Sequence, residues 1–307
     1  MSPPNNPGGA VPFSPGQTRR PVNPTLLQAL LDAEALVIAA GAGMGVDSGL
    51  PDFRGTEGFW RAYPAVARLG LRFEQMANPA WFHRDPHLAW AFYGHRLNLY
   101  RTTVPHDGFA LLRRWSDRLP HGAFVFTSNV DGQFQQAGFD PARLVECHGS
   151  LHHAQCSQPC TDDILPADNL TVAVDEETFR AADPLPRCPR CGAVARPNVL
   201  MFGDGSWIPD RTDTQWGALE GWLEALRTER ARLVIIELGA GSAVPTVRHF
   251  SEDLARSPRA VLLRINPREP EVPPGHFSLP EGALAGLRQL DAALAPHLSL
   301  PSSAPSA

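Results

Sequence analysis

The stretch "ALVIAAGAGMGVDSGLPDFRG", residues 35–55, decides the fold. Its first six residues form an apolar run of the kind found in buried parallel strands. The glycines at 41 and 43 follow at once, and a residue without a Cβ lets backbone N–H groups approach a phosphate. We therefore predict a strand and then a phosphate-binding loop with Gly41, Ala42 and Gly43 as contacts, although a glycine turn after a strand also arises for structural reasons alone.

The stretch continues with Asp52, Phe53 and Arg54, which no ordinary dinucleotide fingerprint contains. A loop that presents a carboxylate, an aromatic ring and a guanidinium together has little structural reason to exist. This combination makes the loop a candidate functional segment.

Three further apolar, β-branched runs look like buried parallel strands: "AFVFTSN" at 123–129, "RLVIIELGAG" at 232–241 and "AVLLRIN" at 260–266. Helical patterns lie between them. Strands that alternate with helices predict an α/β fold with a doubly wound, Rossmann-like parallel sheet. In such sheets the ligand crevice lies at the carboxyl ends of the strands.

Two segments interrupt this alternation. Residues 151–195 hold two cysteine pairs and little periodicity, which predicts a small inserted zinc-binding module, and residues 56–104 predict a helical insertion rich in aromatic residues. The sheet domain then comprises residues 24–150 and 196–295. The ends, residues 1–23 and 296–307, have the composition of disordered tails.

Composition and charge exclude several classes of protein. The 307 residues carry a net charge of −5, so there is no basic excess with which to bind nucleic acid. All 27 basic residues are arginine, which excludes a P-loop lysine and a lysine Schiff base. No apolar run reaches the ~18 residues that indicate a membrane span. The N-terminus has no signal-peptide h-region, which predicts a cytoplasmic protein.

Four of the cysteines form two close pairs: Cys156 with Cys160, and Cys188 with Cys191. In a chain without an export signal, such pairs indicate metal binding rather than disulfides. Four thiolates would give zinc a closed tetrahedral shell, which is a structural site. The alternatives are four unrelated thiols, or His152 or His153 as a substitute ligand.

Three further segments carry candidate site residues. Asn129 and Asp131 follow the second predicted strand, where they could point into the crevice or form an Asx turn that opens a helix. His148, in "ECHGS", can take a proton near neutral pH, although a lone histidine is more often structural. The segment "ARPNVLMFGDG" at 195–205 could receive a peptide as an added strand or be an ordinary core strand.

The order of these motifs resembles that of the sirtuin family, the NAD-dependent protein deacylases. The family's glycine loop and "SGIPDFRG" match "SGLPDFRG" here, its Thr-Gln-Asn-Ile-Asp matches "TSNVD", and its "HGS" matches residues 148–150. Two cysteine pairs follow, then "RPNVLMFGD" for the family's "RPxVVxFGE", and finally "GAGSAV" and Asn266 for its late glycine-serine loop and asparagine. The resemblance covers about residues 25–290.

This resemblance implies a reaction and a set of roles. NAD is the co-substrate, zinc is structural, and the partner is an acylated lysine of a protein or peptide. In sirtuins the acyl oxygen attacks the ribose as nicotinamide leaves, and a histidine deprotonates a ribose hydroxyl. By position His148 is that base, Asn129 lies near the reacting ribose, and Asp131 near the nicotinamide amide. The implied contacts to NAD are Gly41, Ala42, Gly43, Asp52, Phe53, Arg54, Ser128, Gly239, Gly241, Ser242 and Asn266, and those to the substrate backbone are Met201, Phe202 and Gly203.

Four features depart from the family pattern. Ser128 stands where glutamine is usual, Gly45 where serine or alanine is usual, and "GAGSAV" replaces "GTSLxV". The first cysteine pair is one residue wider than usual. These changes bear on the affinity for NAD, but they remove neither the histidine nor the Asn-Asp pair.

Tyr93 and Arg96 form a Tyr-x-x-Arg pattern in the helical insertion. In sirtuins this pattern marks the subgroup that removes succinyl and malonyl groups. A guanidinium can bind the distal carboxylate of such groups bidentately, and residues i and i+3 share one face of a helix. The alternative is an amphipathic helix with an ordinary surface arginine.

Other functions fit part of the pattern. Mono-ADP-ribosyl transfer would use the same activation of NAD with a different nucleophile. A non-catalytic NAD or ADP-ribose sensor would need neither His148 nor Asn129. An NAD-depleting effector would not need a zinc module or a peptide-binding strand.

Overall fold

The computed structural model describes residues 21–51 and 55–298. Asp52, Phe53 and Arg54, and most of both predicted tails, lie outside these residues. The strands are β1 (Ala35–Ala40), β2 (Ala123–Thr127), β3 (Leu144–Glu146), β4 (Gly149–Cys156), β5 (Leu165–Pro166), β6 (Val174–Asp175), β7 (Arg180–Ala181), β8 (Ala195–Val199), β9 (Leu233–Leu238), β10 (Ala260–Ile265) and β11 (Phe277–Leu279).

The helices are α1 (Pro24–Leu31), α2 (Gly43–Val46), α3 (Gly55–Ala62), α4 (Pro64–Arg68), α5 (Phe73–Met76), α6 (Trp81–Arg84), α7 (Pro86–Thr102), α8 (Asp107–Ser116), α9 (Gln133–Gln136), α10 (Asp210–Glu229), α11 (Thr246–Ala255) and α12 (Ala283–Leu298). A turn of 3-10 helix covers Pro141–Arg143. None of the helices in the described part of the chain is long and apolar enough to cross a bilayer. The cytoplasmic location stays a prediction.

Six strands form one parallel sheet in the order β11-β10-β9-β1-β2-β3. β1 lies between β2 and β9; it pairs with β9 along its full length and with β2 from Leu36 to Ala40. Its residues are at most 3% exposed, because helices cover both faces of the sheet. The predicted α/β fold is confirmed. β1 coincides with its predicted run, and β2, β9 and β10 end one to three residues before theirs.

The two edge strands, β3 and β11, have no recognisable signal in the sequence. Each has only three residues, which is too short for an apolar pattern to show. The predicted C-terminal tail begins too early, because α12 continues past residue 296 to Leu298. Leu287, Leu290 and Leu294 of that helix are buried against the sheet, and this contact stabilises the helix near the chain end.

The side chains of β1 alternate between the two faces of the sheet. Leu36 and Ile38 pack in one core with residues of α1, α8 and α12. Val37 and Ala39 pack in a second core with residues of α10 and α11. The sheet is therefore the middle layer of three.

A third core lies between the helical insertion and the small sheet β5-β4-β8. Residues 56–104 hold α3 to α7, as predicted, while the exact domain boundaries stay a prediction. Ten of the 17 residues of α7 are buried. Trp90 of this helix donates from Nε1 to the backbone oxygen of Ala195 at 2.9 Å, which ties the insertion to β8.

The loops that follow β1 and β9 touch each other backbone to backbone. Gly239 has φ +59°, and a Cβ on it would lie 2.4 Å from the Cα of Gly43. A Cβ on Gly41 would lie 2.8 Å from the Cα of Ala240. No side chain fits at either position. The contact between the loops therefore requires glycine here, independently of any binding of phosphate.

We predict that Gly239→Ala destabilises the protein while Gly221→Ala, in α10, does not. A left-handed alanine costs about 1–2 kcal/mol and the overpacking about 1–3 kcal/mol, so Gly239→Ala should lower the free energy of unfolding by about 2–5 kcal/mol. Nothing lies within 4 Å of a Cβ on Gly221, and its helical backbone favours alanine by about 0.5–1 kcal/mol. Urea unfolding measures both. Equal stability of the two variants would show that the loop contact is loose.

Candidate active site and metal centre

A cavity of about 1010 Å³ opens at the carboxyl ends of the central strands. Residues 41–42 after β1, 128–131 after β2, 239–241 after β9 and 268–269 after β10 line it. Parallel strands bring the loops at their carboxyl ends to one edge of the sheet. The cavity therefore lies where the sheet topology predicts a ligand crevice, and its size is at the upper end for small-molecule sites.

Asn129 is held at the end of β2 by two contacts. Its backbone N–H donates to Thr127 Oγ1 at 3.0 Å, and its Nδ2 donates to the backbone oxygen of Gly41 at 3.1 Å. The second bond joins the loops after β1 and β2. The amide is thus fixed beside the glycine loop, on the wall of the cavity.

Asp131 both forms an Asx turn and lines the cavity, the two alternatives that its sequence segment suggests. Its Oδ1 accepts from the backbone N–H of Gln133 at 2.9 Å, which is the Asx turn that opens α9. It also lines the cavity and is only 8% exposed. Burial raises the pKa of this carboxyl to about 6, against the opposing hydrogen bond from Gln133. Burial therefore favours the protonated form of this carboxyl more than in a free aspartate.

His148 lies half-buried on the same cavity wall, between β3 and β4. Burial lowers the pKa of its imidazole, and a hydrogen bond with the Ser128 backbone acts in the opposite direction. Its Nε2 lies 3.4 Å from Thr246 Oγ1 at the start of α11. The ring is neutral at pH 7 and can accept a proton.

Two of the predicted contacts to NAD, Ser242 and Asn266, are not among the residues that line the cavity. Asn266 is fully buried; its Nδ2 donates to the backbone oxygen of Ala240 at 2.7 Å and its Oδ1 accepts from the backbone N–H groups of Arg268 and Glu269. Ser242 is exposed, and its backbone N–H donates to the Glu269 carboxylate at 2.7 Å. Asn266 therefore holds two cavity loops together, and the residues that face the cavity there are Arg268 and Glu269, which sequence reasoning missed.

Met201, Phe202 and Gly203 line the cavity as a turn after β8. The N–H of Met201 donates to the Asp204 carboxylate at 3.2 Å, and the N–H of Phe202 donates to the backbone oxygen of Ala77 at 2.9 Å. Both N–H groups therefore already have acceptors within the chain. The backbone of a substrate would have to bond to other backbone groups of this turn.

The turn is held by a buried ion pair between Arg196 and Asp204. Nη1 of Arg196 donates to one carboxylate oxygen at 2.9 Å and Nη2 to the other, and Nη2 also donates to the backbone oxygen of Val199 at 2.9 Å. Both side chains are at most 1% exposed. β8 itself is buried throughout, so the expectation of a core strand is met within the segment 195–205.

An aromatic group of α7 forms another wall of the cavity. Tyr93, Arg96 and Tyr100 line it and are 1%, 7% and 5% exposed. Nε and Nη2 of Arg96 donate to the Tyr100 hydroxyl at 3.0 and 2.9 Å, and the Cζ of Arg96 lies 5.2 Å from the ring centre of Phe92. Arg96 is therefore not the surface arginine of an amphipathic helix. Tyr100 was missed because spacing alone does not separate a pocket tyrosine from a core one.

The four paired cysteines meet in one cluster, with all Sγ atoms within 4.8 Å of one another. Cys156 and Cys191 are 3.6 Å apart at Sγ, and so are Cys160 and Cys188. A zinc tetrahedron with 2.3 Å bonds has edges of about 3.8 Å, so the cluster fits this ion. His152 instead lies with Nε2 2.9 Å from the backbone oxygen of Asp131, so it is not a ligand.

The fold and the site together define a class: a Rossmann-like protein with a large cavity at the strand ends and a structural four-cysteine module. The Sir2 family model matches residues 41–220. NAD-dependent protein deacylase 1 of Archaeoglobus fulgidus is 31% identical over 260 residues, which are 83% of this chain and 90% of that protein. The chain belongs to the Sir2 family, as its motifs predict.

The chain is also similar to a sirtuin of another organism and to a solved Sir2 structure. NAD-dependent protein deacylase sirtuin-5 of Canis lupus familiaris is 32% identical over 186 residues, 56% of this chain and 57% of that protein. A solved Sir2 homolog–NAD complex is similar with a TM-score of 0.65 at 27% identity, covering 91% of this chain and 96% of its own. The family's use of NAD and a structural zinc agrees with the cavity and the cysteine cluster described above.

We predict that Cys188→Ser releases zinc and destabilises the inserted module, because a structural zinc site contributes folding free energy directly. The wild type should contain about one zinc per chain, measured by atomic emission, and chelation should lower its melting temperature. Cys147→Ala is the control, since that buried thiol lies outside the cluster. Wild-type protein that is free of zinc and indifferent to a chelator would contradict this prediction.

Proposed function

We propose that this protein removes acyl groups from lysine side chains of proteins or peptides in a reaction that consumes NAD, and that it favours acyl groups with a distal carboxylate, such as succinyl and malonyl. The chain is an enzyme of the Sir2 family, an NAD-dependent protein deacylase like its curated relatives. The observation that carries the proposal is one cavity lined both by His148 and Asn129 and by the buried Arg96.

NAD supplies an activated ribose carbon from which nicotinamide departs. The backbone at residues 41–42 and 239–241 would hold its phosphates, since N–H groups can approach them where no Cβ intervenes. The amide of Asn129, fixed to the glycine loop, would orient groups of the ribose. Asp131 would bind the nicotinamide amide, with which both forms of its carboxyl can hydrogen-bond.

His148 would accept a proton from a ribose hydroxyl. A general base must be neutral before the reaction, and burial keeps this imidazole neutral by lowering its pKa. The hydroxyl of Thr246 lies at Nε2, so this nitrogen sits in polar surroundings on the cavity wall. This arrangement supports proton transfer at Nε2.

We expect His148→Ala to lower kcat for deacylation by about 100- to 10,000-fold, because that range is typical for loss of a general base. Binding of NAD, measured by calorimetry, should change much less. His249→Ala, on the exposed surface of α11, is the matched control and should retain full activity. Near-normal turnover by His148→Ala, or transfer of ADP-ribose to the peptide in place of deacylation, would contradict the proposal.

The preference for acidic acyl groups is supported by the environment of Arg96. Its guanidinium lies among the rings of Phe92, Tyr93 and Tyr100, with Cζ between 5.2 and 5.9 Å from the ring centres. Charge-assisted hydrogen bonds to a carboxylate are stronger where water is excluded. A short dicarboxylic acyl chain that enters this part of the cavity would place its distal carboxylate against the guanidinium.

We expect Arg96→Met to lower kcat/KM for a succinyl-lysine peptide by about 10- to 150-fold, the equivalent of one charged hydrogen bond. Methionine keeps much of the side-chain stem, so activity on acetyl-lysine should change far less. Arg118→Met, exposed after α8, controls for loss of one positive charge. Mass spectrometry of acetyl, succinyl and malonyl peptides measures the activity of the wild type and of both variants. Equal losses on both substrates would assign Arg96 a structural role.

A further inference from the structure

All three tyrosines of the chain, Tyr63, Tyr93 and Tyr100, lie in the helical insertion. Two of them line the cavity, and only one of these, Tyr93, belongs to the Tyr-x-x-Arg pattern. Tyr100 lies one helical turn after Arg96, at spacing i+4, so the two side chains share one face of α7. The pattern that identifies the acyl site therefore omits a phenol that contacts its arginine.

The contact between Arg96 and Tyr100 fixes the direction of both groups. Nε and Nη2 of Arg96 donate to the same phenol oxygen at 3.0 and 2.9 Å. Two donors on one edge of the planar guanidinium determine its plane and the direction of its far end. Since the oxygen accepts two N–H groups, its own proton is directed away from Arg96.

The Tyr100 proton is available to a ligand. Burial raises the pKa of this phenol, so the hydroxyl stays protonated at neutral pH. Among the hydrogen bonds of the described residues, none has the Tyr100 hydroxyl as donor. A hydroxyl that lines a cavity beside a guanidinium presents a second donor to the same acceptor.

We propose that Tyr100 determines acyl specificity: its oxygen orients the Arg96 guanidinium, and its O–H donates to the distal carboxylate of the acyl group. The inference rests on the proposed preference for acidic acyl-lysine. It adds a residue outside the Tyr-x-x-Arg pattern. A carboxylate with two oxygens can accept from the guanidinium and the phenol at once.

The test is Tyr100→Phe, which keeps the ring against Arg96 and removes the hydroxyl. The ratio of kcat/KM for succinyl-lysine over acetyl-lysine peptide should fall about tenfold or more, chiefly through a higher KM for the succinyl peptide. Tyr63→Phe is the matched control: Tyr63 is equally buried, lies outside the cavity lining and has its hydroxyl 3.2 Å from His95 Nδ1. This control should leave the ratio unchanged.

A double-mutant cycle separates this inference from the proposed function. In the Arg96→Met background, Tyr100→Phe should have little further effect on the ratio. The reason is that Arg96 and Tyr100 bind the same carboxylate together, so either change alone removes that binding. If Arg96→Met lowers the ratio and Tyr100→Phe does not, or if Tyr100→Phe lowers both activities equally, the role of Tyr100 is overturned while the acyl preference stands. A wild type that ignores succinyl-lysine overturns both and leaves the deacylase assignment intact.

Discussion

The cavity depends on the backbone contact between the loops that follow β1 and β9. These strands are neighbours in the sheet and end at the same level, with Ala40 opposite Leu238. Their loops therefore leave the sheet side by side, and they can turn only if neither carries a Cβ at the contact, as Gly41 and Gly239 do not. Because the two loops make contact through backbone atoms, no side chain at Gly41 or Gly239 occupies the cavity that they line. The same glycines that the sequence suggests for phosphate binding thus first make the cavity possible.

A second constraint sets the opposite wall. The ion pair of Arg196 and Asp204 folds the chain after β8 back on itself, and the turn it closes is bonded to the helical insertion through Asn78 Nδ2 and the Phe202 backbone oxygen at 3.1 Å. A buried pair is costly to break, because one charge is then left without its partner. The ion pair and this bond therefore tie the turn to the rest of the fold, while the Phe202 side chain stays 39% exposed.

The features that can be predicted from the sequence are those with a local signal. The runs 35–40, 123–129, 232–241 and 260–266 identify four of six strands of the large sheet, and the cysteine pairs identify the metal cluster because ligands of one ion need close spacing. Asn129, Asp131 and His148, all named from the sequence, line one cavity. The contacts of Thr246 with His148 and of Tyr100 with Arg96 are not predictable, because neither a hydroxyl nor an aromatic residue in a helix reveals its partner until the fold brings that partner near. The contact of Asn266 with NAD stays a prediction, and both ends of its side-chain amide are bonded to the loops around it.

Three parts of the chain build one cavity, and each carries a different kind of chemistry. The sheet loops contribute backbone and the Asn129, Asp131 and His148 side chains. The turn after β8 contributes a wall held by an ion pair, and α7 contributes Arg96 within aromatic rings. Burying a charged guanidinium lowers the stability of a fold, because the charge loses its hydration. Natural sequences depart from favourable local choices mainly where function requires it. Because α7 belongs to the insertion and not to the sheet, the cavity wall that holds Arg96 can change in sequence without moving the strands that position Asn129 and His148.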